Sequence, residues 1–328
     1  MAEVKDGKAV AYPDAEWNSW RNARKDEVDP KNHFVCVQSV VADGQDRLWV
    51  VDAAAPAMGA VVKDGPKLVG IDLKTNRVIK TIPFDTSTVM QASYLNDVRI
   101  APDGKTAYLT DSGAEGALIV VDLDSGKARR VLSGHASTMP DRSVTVTYDG
   151  KPLRRPDGRG VEFAADGIAL SPDGKTLYWQ AIKGKTLYSL PTEALTGWAT
   201  AAVVPEMLTD TTLASKIVTV GENGPADGLL VARKDGRMYV TSPQDDSVKV
   251  RDLAGSAGGL TVLLRDARLR WPDTLSEGPD GTIYLTTSHI QDSADYRPDA
   301  PRSLPTELWS FRPGTPEATG STAPTPAR

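Results

Sequence analysis

Asp166-Gly-Ile-Ala-Leu-Ser-Pro-Asp-Gly-Lys-Thr-Leu-Tyr-Trp-Gln180 is the stretch that decides the fold. A polar residue opens an apolar run, Pro-Asp-Gly turns the chain, and a second apolar run carries the aromatics. Asp-Gly supplies the positive-φ conformations of a tight turn, and the preceding proline favours entry to it, so the stretch is a β-hairpin. The same order recurs at Gln38–Asp52, Asn96–Asp111, Asp227–Ser242 and Asp273–Thr287. The turn glycines stand at 44, 104, 174, 236 and 281, between 45 and 70 residues apart. A four-stranded propeller blade takes about 40–50 residues, so these are blades with insertions. The reading is an all-β, six-bladed β-propeller over residues 34–313. Five blades are legible, and the sixth is expected from less regular sequence such as the N-terminal arm, residues 1–33.

Outer hairpins follow the inner ones. Lys67-Leu-Val-Gly-Ile-Asp-Leu and Val78-Ile-Lys-Thr-Ile82 bracket one turn; Ala117-Leu-Ile-Val-Val-Asp-Leu and Ala128-Arg-Arg-Val-Leu132 bracket another. Excursions lie at 133–164 and 192–225, the second with a helical patch around Pro205–Lys216. Both are expected to rim the site. Residues 314–328, rich in Pro, Thr and Ala, have no face to bury and are expected to form a flexible tail.

The net charge of −5 argues against a nucleic-acid partner, because a phosphate backbone needs a basic surface. Arg129-Arg130 and Arg154-Arg155 are too short to supply one. The single cysteine, Cys36, allows no internal disulfide and no cysteine metal cage. No apolar stretch is long enough to span a bilayer. The polar N-terminus lacks a signal-peptide core, which fits a secreted or periplasmic domain with its signal removed, and also a cytoplasmic one. The Gly-x-Ser-x-Gly elbow, the phosphate loop and the His-Glu-x-x-His motif are all absent.

In each hairpin the first strand is innermost and the second returns to the same end. Gln38, Asn96, Asp166, Asp227 and Asp273 therefore open the inner strands at one mouth, with Asp52, Asp111, Gln180, Ser242 and Thr287 beside them. Carboxylates gathered at one mouth repel unless a cation or a hydrogen-bond network compensates. Oxygen ligands suit Ca²⁺, Mg²⁺ or Mn²⁺. A metal site and a network sewing the inner strands together both satisfy this pattern. Two residues along the same strands, Val40, Val98, Ile168, Leu229 and Leu275 are expected to be buried. His289 follows the fifth hairpin and can reach the mouth as a general base. His135, after the second hairpin, can form part of a lid, and Glu222 and Asn223 can line the entrance. The turn aspartates (Asp43, Asp103, Asp173, Asp235, Asp280) read as turn-formers, and the tryptophans as packing between strands.

Phe34-Val-Cys-Val-Gln-Ser-Val, Asp46-Arg-Leu-Trp-Val-Val-Asp52, Tyr94-Leu-Asn-Asp-Val98, Ala165-Asp-Gly-Ile-Ala-Leu-Ser and Trp271-Pro-Asp-Thr274 resemble the major royal jelly/Yellow family over about residues 34–290. The resemblance implies a six-bladed propeller and a mixed range of functions, small-molecule binders among them. That family is distantly similar to the senescence-marker/gluconolactonase group, which binds a divalent cation and hydrolyses lactones. This implies metal ligands at Asn96, Asp166 and Asp227, ligand-binding residues at Gln38, Asp97, Asp111, Gln180, Glu222 and His135, and proton transfer by Asp273 or His289. Asn96 and Asp227 match the group's pattern. Gln38 stands where it has Glu, and Asp166 where it has Asn. Two functions follow: a metal-assisted hydrolase of a lactone or related ester, with Ca²⁺ first among the cations, or a non-enzymatic propeller that binds a small molecule.

Overall fold

The polypeptide folds by pairing neighbouring strands of its own sequence. The computed structural model describes residues 1–196, 198, 210–254, 259–299, 306–313 and 325–326. The chain divides into two units, residues 1–135 with 193–215, and residues 136–192 with 216–328.

In the first unit, β1 (Ala2–Lys5) and β2 (Lys8–Ala11) form a hairpin of their own. β3 (Val37–Ala42), β4 (Arg47–Asp52), β5 (Lys67–Asp72) and β6 (Arg77–Pro83) follow as an antiparallel meander. β7 (Leu95–Ile100), β8 (Thr106–Asp111), β9 (Ala117–Asp122) and β10 (Ala128–Val131) form a second one. The short helix α1 (Asp210–Ala214) is the described part of the helical patch; residues 205–209 lie outside the described residues. The Asp210 carboxylate accepts the Leu132 amide at 2.9 Å, and Leu213 is buried. Trp49, Val51, Leu68, Val98, Leu109 and Ile119 make the core of this unit.

In the second unit, β11 (Thr147–Tyr148) and β12 (Lys151–Pro152) form a small hairpin within the first excursion. Three meanders follow: β13 (Ala165–Leu170), β14 (Thr176–Ala181), β15 (Thr186–Pro191) and β16 (Val218–Glu222); β17 (Leu229–Val231), β18 (Met238–Ser242), β19 (Ser247–Arg251) and β20 (Leu260–Arg265); then β21 (Pro272–Glu277), β22 (Ile283–Thr287), β23 (Glu307–Phe311) and β24 (Thr325–Pro326). β24 falls within the segment expected as a tail, whose residues 314–324 and 327–328 lie outside the described residues. One core joins Leu229, Met238 and Val240; another joins Tyr239, Leu275, Leu285 and Trp309.

The fold is an all-β propeller with the hairpins where the sequence puts them, but five four-stranded sheets stand among the described residues instead of six. The N-terminal arm does not supply the missing blade. Every residue of β1 and β2 is exposed, so the pair has no apolar face with which to join a blade. Val98, Ile168, Leu229 and Leu275 are buried as expected, whereas Val40 is 46% exposed. β3 alternates, with Val41 packed toward the core while Gln38, Val40 and Ala42 occupy its open side. No helix among the described residues is long and apolar enough to cross a membrane.

Candidate functional site

The inner strands share a defect at the residues expected to ring the mouth. In β3 the register slips at Gln38, between the pairs Val37–Asp52 and Ser39–Val51. In β13 it slips at Asp166, between Ala165–Ala181 and Gly167–Gln180. Asn96 and Asp97 together oppose Thr110, and Asp273 and Thr274 together oppose Thr286. Each is a β-bulge, which leaves a residue out of the ladder and re-aims its side chain. Asp227 and Gly228 precede β17 altogether.

Where the ladder leaves a backbone donor over, at two of the bulges and just before β17, threonine supplies the acceptor. Thr110 Oγ1 accepts from the Asp97 amide at 3.2 Å, Thr241 Oγ1 from Gly228 at 2.7 Å, and Thr286 Oγ1 from Thr274 at 3.3 Å. These threonines each stand one place before the end of the second strand (Leu-Thr-Asp111, Val-Thr-Ser242, Leu-Thr-Thr287). The repeat is visible in the sequence, yet the reading of strand ends passed over it.

In the first unit, Gln38 Nε2 donates to Asn96 Oδ1 at 3.3 Å, the Tyr94 hydroxyl donates to Gln38 Oε1 at 2.7 Å, and Asn96 Nδ2 donates to Ser112 Oγ at 2.8 Å. The Ser39 hydroxyl donates to Asp97 Oδ1 at 3.1 Å, and Arg99 lies 3.6 Å from its other oxygen. Gln38, Asn96 and Asp97 are thus brought together. Asp111 is fully buried and accepts from the Tyr94 and Gly113 amides and, at 2.5 Å, from Arg130. Asp52 does the same with the Val35, Cys36 and Ala54 amides and Lys67, at 2.7 Å. Both carboxylates close a strand entry, and burial pushes the Lys67 ammonium down while Asp52 opposes that shift. His135 is half-buried in the turn after β10, its amide bonded to the Leu132 carbonyl.

In the second unit the inner strands approach so closely that glycine is required. A Cβ on Gly167 would overlap the Asp227 carbonyl, and one on Gly228 would overlap that of Asp273. Asp166, Asp227 and Asp273 therefore succeed one another across packed backbones. Asp166 and Asp227 are buried, and Trp271 Nε1 donates to Asp227 Oδ2 at 2.6 Å. Asp273 Oδ1 accepts from Thr274 at 3.0 Å. Gln180 is held by Asn223, which Arg251 holds in turn; burial lowers the affinity of that guanidinium for its proton. Glu222 is exposed and pairs with Lys185 at 3.0 Å. His289 is buried with φ +52°, Nε2 3.4 Å from Thr287 Oγ1 and Nδ1 without a partner among the described residues. Trp271 was legible only as packing; its hydrogen bond spans 44 residues.

A hard dication takes six to eight oxygens, several of them carboxylate. Among the described residues no three His, Cys, Asp or Glu side chains gather to hold one. Asp52 and Asp111, the carboxylates that close the first two hairpins, are already spent on amides and a cation.

The first excursion packs over this end of the second unit. Val146, Tyr148, Leu153 and Val161 are buried against Trp271 and Ile182, with Phe163, Ile290 and Tyr296 at the margin. The Tyr148 hydroxyl donates to Asp246, whose carboxyl burial pushes up to about 6, against the pull of that bond and of Arg270. Of the second excursion, residues 197 and 199–209 lie outside the described residues.

Comparison with known proteins bears on this arrangement. Major royal jelly protein 1 of Apis mellifera is 24% identical over 201 residues, 58% of this chain and 43% of that protein. Lactonohydrolase oryL of Aspergillus oryzae is 27% identical over 167 residues, 49% of this chain and 36% of its own. The chain thus spans about two fifths of the length of these relatives. A chain of a nidogen/laminin complex superposes with a TM-score of 0.52 at 11% identity, over 95% of this chain and 84% of its own, which shows the fold alone. Residues 35–299 match the sequence profile of the major royal jelly protein family, and the chain belongs to that family.

Proposed function

We propose that this chain is a small-molecule-binding propeller whose ligand contacts the polar residues that open the inner strands. The recurrent bulge carries the reading. At Gln38, Asn96–Asp97, Asp166 and Asp273–Thr274 the ladder gives up a residue, and bulges cluster beside binding sites because they re-aim side chains. The side chains released are hydrogen-bonding groups of both polarities, suited to a neutral or weakly charged organic ligand. In the first unit Gln38, Asn96 and Asp97 form a candidate ligand face, and in the second unit Asp166, Asp227 and Asp273 form another. Asp111, Gln180 and Glu222 hold the entrances of the strands, and His135 remains a candidate lid residue. Secretion belongs to the same reading and is tested by fractionating the producing cells.

The experiment is a thermal-shift and calorimetric screen of small polar compounds against wild type, Asn96→Ala and Asp227→Ala. A ligand whose affinity falls at least tenfold in either variant, at unchanged melting temperature, supports the reading. Stoichiometric Ca²⁺, Mg²⁺ or Mn²⁺ that survives dialysis and is lost in Asp227→Ala would overturn it in favour of a metal site.

One observation favours the hydrolase. His289 is buried at the end of β22 with a ring nitrogen unpartnered among the described residues, as an unused general base would be. Likeness to Lactonohydrolase oryL points the same way. A panel of lactones and aryl esters, followed by proton release, tests it. Turnover in the wild type that His289→Gln abolishes establishes this second reading.

A further inference from the structure

Trp271 is the most unusual residue of the second unit. It is fully buried yet has φ +53°, a left-handed conformation that is costly for a bulky side chain. The cost is met on three sides. The Trp271 carbonyl accepts the Ser288 amide at 3.1 Å. The indole face packs against Val146, Tyr148, Leu153 and Val161 of the excursion. The indole Nε1 donates to Asp227 at 2.6 Å, a short bond from a donor that can only donate. Conformational strain over-determined by its surroundings is characteristic of sites where side-chain orientation matters.

We propose that Trp271 is a positioning residue that couples the excursion, residues 146–163, to the Asp227 carboxylate. Packing of the excursion seats the indole, and the indole N–H fixes the orientation of Asp227. Displacing the excursion loosens the hold of the indole on that carboxylate. The proposal rests on Asp227 being part of the ligand face, and it makes the excursion a regulator of that face.

The test uses the full chain with ¹³C-labelled aspartate and ¹⁵N-labelled tryptophan. Val161→Ala thins the excursion without touching Asp227, and Phe163→Leu is the milder second variant. Both are expected to shift the Asp227 side-chain carbon signal in the direction seen for Trp271→Phe. Both are also expected to raise the hydrogen-exchange rate of the Trp271 indole about tenfold, leaving the Trp49 indole unchanged. Trp271→Phe keeps the ring and loses the donor, so the Asp227 signal moves while the excursion amides keep their protection. A merely structural tryptophan would loosen the excursion and leave Asp227 where it was. If neither excursion variant moves the Asp227 signal, the coupling is overturned, whatever the protein binds. If the signal follows the excursion but Asp227→Ala leaves every ligand's affinity intact, the coupling stands and the ligand-face reading falls.

Discussion

Gly228 is one of two residues, with Gly167, at which the inner strands of the second unit approach most closely. Its hydrogen occupies the place where any side chain would meet the Asp273 carbonyl. Gly228→Ala is therefore expected to destabilise by about 3 kcal/mol or more, the upper end of the overpacking range, because the obstacle is backbone and cannot rotate away. Chemical denaturation of wild type and variant checks this; a loss below about 1 kcal/mol would mean that the two backbones separate easily. Asp-Gly dipeptides named the hairpins because a turn is a local matter, settled by two residues. Gly167 and Gly228 also stand in Asp-Gly pairs, but their constraint comes from the neighbouring blade. In the sequence Asp166 and Asp227 stand out for their charge, while the glycines beside them carry no local sign of that constraint. Trp271 escaped for the same reason, its partner being remote in the chain.

Bulges followed by threonine are the device of the element scale. Thr241→Val keeps volume but leaves the buried Gly228 amide without its acceptor, and an unmade buried bond costs about 1–3 kcal/mol. Thr110→Val and Thr286→Val are expected to cost the same or less, since their bonds are longer, at 3.2 and 3.3 Å. Urea titration of the three variants ranks them, and an order with Thr241→Val mildest would refute the account. The β11–β12 hairpin carries a second element-scale prediction through Tyr148. Asp246 faces Tyr148 and Asp149 from the hairpin, Arg270 from the approach to β21, and Asp245 from its own turn. Its folded pKa of about 6 lies above the unfolded 3.8, so its contribution is fully present below the unfolded value and is lost as pH rises through 6. Asp246→Asn should match wild type in melting temperature near pH 3.5 and exceed it near pH 7.5. Equal gains at both pH values, by calorimetry, would show that Asp246 is charged throughout. This hairpin was not legible because strands of two residues are too short for alternation to register.

At the scale of the molecule the five repeats carried the fold class, while the blade count depended on a segment without the pattern. β1 and β2 alternate like a strand pair in sequence but expose both faces, a property that no residue within them announces. Closure of a ring is a property of the whole, and the sequence speaks of it only where a blade repeats the motif. The strand-opening residues were legible as positions, because alternation and turn fix which residue begins each strand. Their chemistry was not, because whether a carboxylate is available or spent depends on amides and cations brought from other strands, as at Asp52 and Asp111.

The burial of Lys67 has a consequence for reactivity. Its Nζ is enclosed by the Asp52 carboxylate and the carbonyls of Pro30 and Gly65, and the side chain is 1% exposed. An acylating or reductively methylating reagent needs a solvent-accessible amine, and the native fold does not offer one at this position. Lys67 should stay unmodified after exhaustive labelling that consumes exposed lysines such as Lys74 and Lys175, and become reactive only when the first sheet opens. Peptide mass spectrometry against labelling time would then read the opening rate of that sheet directly. Modification of Lys67 at the pace of the surface lysines would show that the sheet breathes open on the timescale of the reagent.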